Sequence, residues 1–302
     1  MTARSAAGAA LVLLSAAVLP PVVARAQVPG LPTEISGIRH NSGESVTPYF
    51  EGWIRNADGT FDLVFGYFNR NYVQEFAIAA GPDNFVEAPP LNMGGGAPVS
   101  IDRGQPTYFL PRRQRYVYRV RVPADFGKRE AVWSITANGH TERAYGSLIA
   151  AEEITERVVT TNGNYDPGTN DANKPPSITI APVAAVMADH AVTLTALVTD
   201  DGLPKPRRLP TTADPKAVTG GFGGQVNATA AARPQGLTVR WLQYSGPAKV
   251  TFAQTGALPV ENGQAVTTAT FAAPGTYKLI ASATDPGLLS TKTEVVVIVA
   301  KP

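Results

Sequence analysis

The sequence predicts an all-β protein with two β-sandwich domains in tandem behind an N-terminal export signal. Many short segments alternate apolar and polar residues with a period of two, as strands with one buried face do. The 28 glycines and 26 prolines, together with asparagine, separate these segments as turn residues do. Helical periodicity is nearly absent after the first 26 residues.

The first 26 residues are typical of a signal peptide. A positively charged start with Arg4 precedes an apolar run over residues 6–19, and Ala24-Arg25-Ala26 supplies small residues for cleavage before Gln27. The run is too short to cross a hydrocarbon core of about 30 Å. No later stretch is long and apolar enough to span a membrane, so no transmembrane segment is expected after cleavage. We therefore expect an exported chain that is periplasmic, envelope-associated or extracellular.

Charge and cysteine content exclude several classes of protein. Without the leader, 24 basic residues face 24 acidic ones, a balance that disfavours a nucleic-acid partner. The chain has no cysteine, which excludes disulfides, a lipoprotein anchor, thiolate metal sites and a cysteine nucleophile.

The N-terminal domain is predicted over residues 27–157 and begins with a hairpin. Its strands are Thr47–Arg55 and Thr60–Phe68, joined by a turn at residues 56–59, and the second places Phe61, Leu63, Phe65 and Tyr67 on one face. The other predicted strands are residues 72–79, 107–110, 114–122, 131–137 and 140–149, with a long loop over residues 81–104. Asn138-Gly139 predicts a type I′ turn.

A linker over residues 158–176 is predicted to lead into a C-terminal domain over residues 177–302. Its seven strands are residues 177–180, 192–199, 237–244, 249–252, 265–271, 276–284 and 292–299, with an insertion over residues 205–235. Seven short strands with Trp241 on the third are typical of an immunoglobulin-like sandwich.

Two resemblances accompany these patterns. Residues 174–300 resemble PKD-type and related bacterial immunoglobulin-like modules, through Asp200-Asp201-Gly202, Trp241 with Ser245-Gly246-Pro247, and Pro274-Gly275-Thr276-Tyr277. Leu242-Gln243-Tyr244 follow the tryptophan where that family has an aspartate- and glycine-rich turn, so the chain resembles a divergent branch of it. Residues 44–150 are similar to a domain of uncharacterised exported bacterial proteins, through Phe50-Glu51-Gly52-Trp53 and Gly66-Tyr67-Phe68-Asn69-Arg70-Asn71. The first resemblance implies a fold, the second supports only an exported context, and neither implies an activity.

A row of arginines is the most distinctive motif. In one strand, Arg113, Arg115, Arg119 and Arg121 fall on the same face, at about 7 Å between alternate residues. Guanidinium groups match carboxylates and phosphates, so one hypothesis is an anion-binding site. The alternative is a solvated face neutralised by acids such as Glu130 or Glu142.

A second candidate site is Tyr67, Asn69 and Arg70, which together would present an aromatic and amide surface to a glycan or peptide. The alternative is a core strand that runs into an asparagine-rich turn. Asp166, Asp171, Asp200, Asp201 and Asp285 offer oxygen ligands for Ca²⁺ near the domain junction, but aspartate is also a common turn former.

No metal site, cofactor or catalytic group is predicted. The three histidines are isolated, and no nucleophile elbow, zinc helix, phosphate loop or dinucleotide fingerprint is present. The sequence therefore favours an exported, non-catalytic binding or structural protein of the bacterial envelope with a protein or glycan partner. The alternatives are a carbohydrate-binding accessory protein, or a hydrolase that uses Asp83, Glu87 and Asp102 with Arg103 and Arg115.

Overall fold

A computed structural model describes residues 39–88, 101–163, 172–183, 186–204 and 236–301 of the chain. The predicted leader and the predicted insertion over residues 205–235 lie outside these ranges, as does part of the predicted linker. The described residues from Arg39 onward belong to one compact unit.

The N-terminal half contains eight strands. They are β1 (Val46–Arg55), β2 (Phe61–Asn69), β3 (Phe76–Ala77), β4 (Asn84–Glu87), β5 (Tyr108–Phe109), β6 (Arg112–Val122), β7 (Ala131–Ala137) and β8 (His140–Gly146). A 3-10 turn (Ala150–Glu152) and a short helix α1 (Glu156–Thr160) follow. Within the described ranges, neither element is long or apolar enough to cross a bilayer.

The N-terminal strands form a sandwich around an aromatic core. One sheet has the order β1-β2-β6, the facing sheet has the order β4-β7-β8, and β3 pairs with β5 beside them. The alternate residues Leu63, Phe65 and Tyr67 of β2 pack into this core with Trp133 of β7, as the period-two pattern predicts.

The C-terminal half contains nine further strands in the described ranges. They are β9 (Ser177–Ile180), β10 (Val186–Met187), β11 (Ala191–Thr199), β12 (Thr238–Ser245), β13 (Val250–Phe252), β14 (Leu258–Pro259), β15 (Gln264–Phe271), β16 (Gly275–Thr284) and β17 (Ser290–Ala300). A five-stranded sheet, β10-β17-β16-β12-β14, packs on a four-stranded sheet, β13-β15-β11-β9. Leu194, Trp241 and Leu279 lie in the core between them.

The predicted fold class is confirmed: the chain is all-β, with two immunoglobulin-like sandwiches. The hairpin of β1 and β2 and its turn are where the sequence placed them. Asn138 and Gly139 have φ of 50° and 78°, the two positive values that a type I′ turn requires.

Two local predictions in the N-terminal half are wrong. The strand expected over residues 72–79 is reduced to the two residues of β3. The long loop expected over residues 81–104 contains β4, which pairs with β7 because Val86 is buried opposite Trp133. Helix α1 was not predicted, since five residues are too few to show a helical period.

The two sandwiches contact each other directly. The Thr107 backbone N–H donates to the Tyr244 carbonyl at 3.1 Å, and the Tyr244 hydroxyl donates to the Gly104 carbonyl at 2.5 Å. The Ser290 hydroxyl donates to the Thr160 carbonyl at 2.9 Å. These bonds join elements far apart in sequence, so they orient one sandwich against the other.

Candidate functional site

The predicted arginine row is interrupted in its middle. Phe65 of β2 pairs with Tyr118 of β6, but Tyr67 pairs with Gln114, so β6 contains extra residues between these two pairs. Tyr116 has φ of 51°, in the left-handed region that a strand does not use. The prediction of one continuous face from Arg113 to Arg121 is therefore wrong, because the irregularity divides the row into separate pairs of side chains.

Arg113 lies across the outer face of the N-terminal sheet and is neutralised there. Its Nη2 donates to Glu51 Oε1 at 2.6 Å, and its guanidinium lies 4.4 Å from the centre of the Tyr49 ring. Gly66 makes this possible, since a Cβ there would stand 2.3 Å from Glu51 Oε1 and 2.9 Å from Arg113 Nη1. Burial outweighs the attraction of Arg113 and raises the pKa of Glu51.

Arg119 and Arg121 are also paired with acids. Arg121 Nε donates to Asp62 Oδ1 at 2.9 Å, and Arg119 bonds both carboxylate oxygens of Glu156 in α1. Burial acts to raise the pKa of Asp62, but hydrogen bonds from Arg121 and Asn56 and the two positive charges lower it overall.

The partners of the arginines are not those expected from sequence. The acids that neutralise them are Glu51, Asp62 and Glu156, whereas Glu142 accepts a hydrogen bond from the Ser45 hydroxyl. Strand register and the position of α1 decide these pairs, and neither can be read from local sequence.

Arg115 lies at the contact between the sandwiches. Its Nη1 donates to the Asn162 carbonyl at 3.5 Å, and Lys292 Nζ of the C-terminal sandwich donates to the carbonyls of Arg115 and Tyr116. Desolvation of this amine, with the nearby charge of Arg119, lowers the pKa of Lys292 to about 8.

Tyr67 and Asn69 are buried and present no surface to a ligand. Tyr67 is 3% exposed, and its hydroxyl accepts the Leu110 N–H at 2.9 Å. Burial raises the pKa of Tyr67. Asn69 is fully buried and donates to the Gln74 carbonyl at 2.7 Å. The structure therefore agrees with the alternative of a core strand that enters an asparagine-rich turn.

Arg70 belongs to a surface cluster that sequence reasoning did not assemble. We call it the arginine–tyrosine corner and define it by Arg39, Arg70, Tyr72 and Arg112. The Arg112 guanidinium lies 4.0 Å from the centre of the Tyr72 ring, and that of Arg39 lies 5.4 Å from the same centre. Tyr72 is 40% exposed, so the cluster is open to solvent.

Backbone contacts hold this corner in place. The Tyr72 N–H donates to the His40 carbonyl at 2.9 Å, and Arg112 Nη1 donates to the Arg70 carbonyl at 3.1 Å. Arg112 has φ of 67°, an uncommon conformation for a bulky residue that other contacts must maintain.

The charges at the corner are unbalanced. Glu44 is the acid that faces Arg70, at 3.5 Å, and it also lies 3.6 Å from His40. Within the described ranges, neither Arg39 nor Arg112 has an acidic partner within 4 Å. In the sequence, Arg112 directly precedes the predicted row but falls on the opposite face of an alternating strand. No local sequence pattern indicates that it lies near Arg39.

The residues proposed for a hydrolase do not form one site. Asp102 lines a cavity of about 550 Å³ between the sandwiches, with Tyr244 and Lys278. Among the described residues, Asp83, Glu87 and Arg115 do not line this cavity. Asp102 Oδ1 accepts the Gly104 N–H at 2.8 Å, as a turn-forming aspartate does.

The junction aspartates that the structure describes also bond to backbone amides. Asp200 accepts the Gly202 N–H, Asp201 accepts the Leu203 N–H, and Asp285 accepts the Leu289 N–H. Asp166 and Asp171 lie outside the described ranges. In the part of the chain that is described, no three histidine or acidic side chains come together as metal ligands would.

No protein-family model and no curated protein matches the chain. Among solved structures, a conjugative transposon lipoprotein from Bacteroides eggerthii is similar at 17% identity, over 41% of this chain and 96% of that one, with a TM-score of 0.25. The fibronectin(III)-like modules of CbhA from Clostridium thermocellum are similar at 10% identity over 85% and 95% of the two chains, with a TM-score of 0.24. The D00–D0 domain of intimin is similar at 11% identity over 84% and 100%, with a TM-score of 0.25. At such scores, the assignment of an immunoglobulin-like all-β protein rests on the strands and cores of the chain itself.

Proposed function

We propose that the chain is an exported, non-catalytic binding protein of the bacterial envelope, which holds an anionic protein or glycan at the arginine–tyrosine corner. The observation that carries this proposal is the charge at the corner, where three arginines and an exposed tyrosine face one carboxylate.

The geometry of the corner suits an anion. The guanidinium carbons of Arg39 and Arg112 lie 5.4 Å and 4.0 Å from the centre of the Tyr72 ring, so two positive charges stand beside one exposed aromatic side chain. Planar guanidinium groups bond carboxylate or phosphate oxygens in pairs, and stacking on an aromatic ring fixes their orientation in advance. An anion would also relieve the repulsion between these like charges.

The other arginines support this choice by contrast. Arg113, Arg119 and Arg121 have acids at 2.5–2.9 Å, so an anion would have to displace an existing partner there. Arg39 and Arg112 have no such partner among the described residues. The PKD-type resemblance of the C-terminal sandwich and the signal-like N-terminus fit an exported module that supports a binding domain.

Site-specific photocrosslinking in cells tests this proposal. A photoreactive residue at Val73, which is 65% exposed and next to Tyr72, is expected to form an adduct with an envelope component. Arg112→Ala should reduce the yield of the adduct about tenfold, because the substitution removes one charge-assisted bidentate contact. The adduct should carry Gln27 as its N-terminal residue, as mass spectrometry of the purified product would show.

A photoreactive residue at Val266, 51% exposed on the C-terminal sandwich, is the matched control and should form no adduct that depends on Arg112. Equal labelling from both positions, or an adduct that Arg112→Ala leaves unchanged, would contradict binding at the corner. An intact leader on the purified product would contradict export.

A further inference from the structure

A second cavity lies between the sandwiches, along one edge of β12. Its volume is about 430 Å³, within the range of small-molecule pockets. Its lining includes Arg240, Trp241, Leu242 and Phe252 from the C-terminal sandwich, and Leu110 and Pro111 from the N-terminal one.

The strand edge that faces this cavity is incompletely paired. β12 pairs with β16 from Thr238 to Ser245, but on its other side β14 pairs only with Thr238 and Val239. Further along this side, Tyr244 accepts the Thr107 N–H. Between these contacts, residues 240–243 have no strand partner on this side among the described residues.

The direction of the backbone groups follows from the neighbouring bonds. The Leu237 carbonyl accepts the Val260 N–H at 3.0 Å on the edge that faces β14. Backbone groups of alternate residues in a strand point to the same side, so the N–H and C=O of Trp241 lie on this edge as well. Unpaired edge groups of this kind are what an added strand requires.

The Trp241 side chain has an unpaired donor of its own. It is 5% exposed, and its buried Nε1 has no acceptor among the described residues. The other two tryptophans are satisfied: Trp53 Nε1 donates to the Ile149 carbonyl at 2.8 Å, and Trp133 Nε1 donates to Asn84 Oδ1 at 3.0 Å. A buried N–H without an acceptor is unfavourable, so an acceptor brought to the Trp241 indole would remove that cost.

The charge around the cavity favours an acidic ligand. Lys249 Nζ lies 3.0 Å from Glu75 Oε1, so these two charges compensate each other. Arg240 is exposed and has no acidic partner within 4 Å among the described residues. One cation of the lining therefore remains available to a carboxylate.

We propose that the edge of β12 from Arg240 to Gln243 binds an extended peptide that carries a carboxylate. The peptide adds a short strand through the backbone of Trp241, satisfies the indole N–H, and places its carboxylate at Arg240. At about 3.3 Å per residue, the free edge accommodates three or four residues. The inference uses no residue of the arginine–tyrosine corner and does not depend on the function proposed there.

Nitrogen-15 NMR of the full chain tests the proposal through its three tryptophan indole signals. The probe is a synthetic pentapeptide of alternating threonine and valine that ends in aspartate, added to millimolar concentration. The Trp241 indole signal, assigned with Trp241→Phe, is expected to move downfield as its N–H gains an acceptor. The Trp53 and Trp133 signals are expected to stay in place because their acceptors are already present.

Two matched controls separate strand addition from other binding. A peptide with N-methylated backbone amides should leave the Trp241 signal unchanged, since it cannot pair with a strand edge. Arg240→Gln should weaken binding of the acidic peptide about tenfold. It should not change the binding of a neutral peptide that ends in asparagine amide. Arg112→Ala, which removes the corner, should leave the shift intact.

Three outcomes would overturn the proposal. They are a Trp241 signal that does not move, an equal shift with the methylated peptide, and a shift that follows protein concentration without peptide. The last result would assign the edge to a second copy of the chain.

Discussion

The two sandwiches share an architecture but differ in how their cores are filled. The N-terminal core is rich in aromatic rings, and Phe65, Tyr118 and Trp133 make mutual contacts with centroid separations of 5.4–6.3 Å. The C-terminal core is mainly alanine, valine and leucine, with Phe271 and Tyr277 as its aromatic pair at 4.8 Å. One fold class is thus stabilised by directional ring packing in one half and by small aliphatic side chains in the other.

Polar anchoring differs between the two cores at one tryptophan. The large N-terminal rings carry polar atoms into the core, and Trp53, Tyr67 and Trp133 each have a hydrogen-bond partner there. In the C-terminal core, the Tyr277 hydroxyl donates to the Ala273 carbonyl at 2.8 Å, but the Trp241 indole has no acceptor among the described residues. The comparison teaches that similar sandwiches can fill their cores differently, and that a core tryptophan is satisfied only where a distant acceptor reaches its N–H.

The largest expected effect compares the two core tryptophans. Trp133→Phe removes ring volume and leaves the buried Asn84 Oδ1 without its donor, so it should lower the free energy of unfolding by about 2–4 kcal/mol. Trp241→Phe removes similar volume but breaks no hydrogen bond, and should cost about 1–3 kcal/mol less. Urea unfolding of the two variants measures this difference, and equal losses would break the comparison.

An intermediate effect is expected from close packing on the outer N-terminal sheet. Gly66→Ala places a methyl group 2.5 Å from the Gln114 carbonyl oxygen, so strands must shift and about 1–3 kcal/mol of stability should be lost. Gly256→Ala in the C-terminal half meets no atom within 4 Å and should change stability by less than about 0.5 kcal/mol. Thermal unfolding of both variants provides the measurement. An unaffected Gly66→Ala protein would show that Arg113 and Glu51 can move aside.

The smallest effect compares ion pairs of the two halves. Asp62→Asn should cost about 1–2 kcal/mol at neutral pH, because the buried carboxylate bonds Arg121 and Asn56. Glu294→Gln, which removes the exposed pair with Lys278, should cost less than about 0.5 kcal/mol.

The pH dependence of these variants gives a sharper test. The pKa of Asp62 is lowered in the folded protein. Its carboxylate therefore contributes fully to stability above its ordinary pKa of 3.8, and this contribution is lost as the pH falls through the pKa of the folded protein. The difference in the free energy of unfolding between the wild type and Asp62→Asn should therefore shrink as the pH falls below 3.8. A difference that stays constant from neutral pH to pH 3 would refute the assigned role of the carboxylate.

Much of the fold could be predicted from the sequence, most completely where apolar residues alternate along a strand. In β16, the alternate residues Tyr277, Leu279, Ala281 and Ala283 are buried, as their spacing predicts. The prediction was poorer around β3 and β4, because these strands are short and their pairing depends on distant residues such as Trp133.

The candidate sites were predictable only in part. The presence of arginines on β6 is evident from the sequence, but their partners Glu51, Asp62 and Glu156 come from other elements. The corner was missed because it unites Arg39 with Arg112 across more than 70 positions of the chain. The free edge of β12 was missed because the extent of pairing by β14 cannot be read from local alternation.

By itself, the sequence determined that this protein is all-β, where most of its strands lie and which side chains enter the two cores. Those properties follow from the alternation of neighbouring residues, which is local. Tertiary structure decided which arginines are neutralised, where β6 departs from a regular strand and which strand edge stays open. Each of these depends on register and on contacts between residues distant in the chain, which the free energy of the whole fold selects.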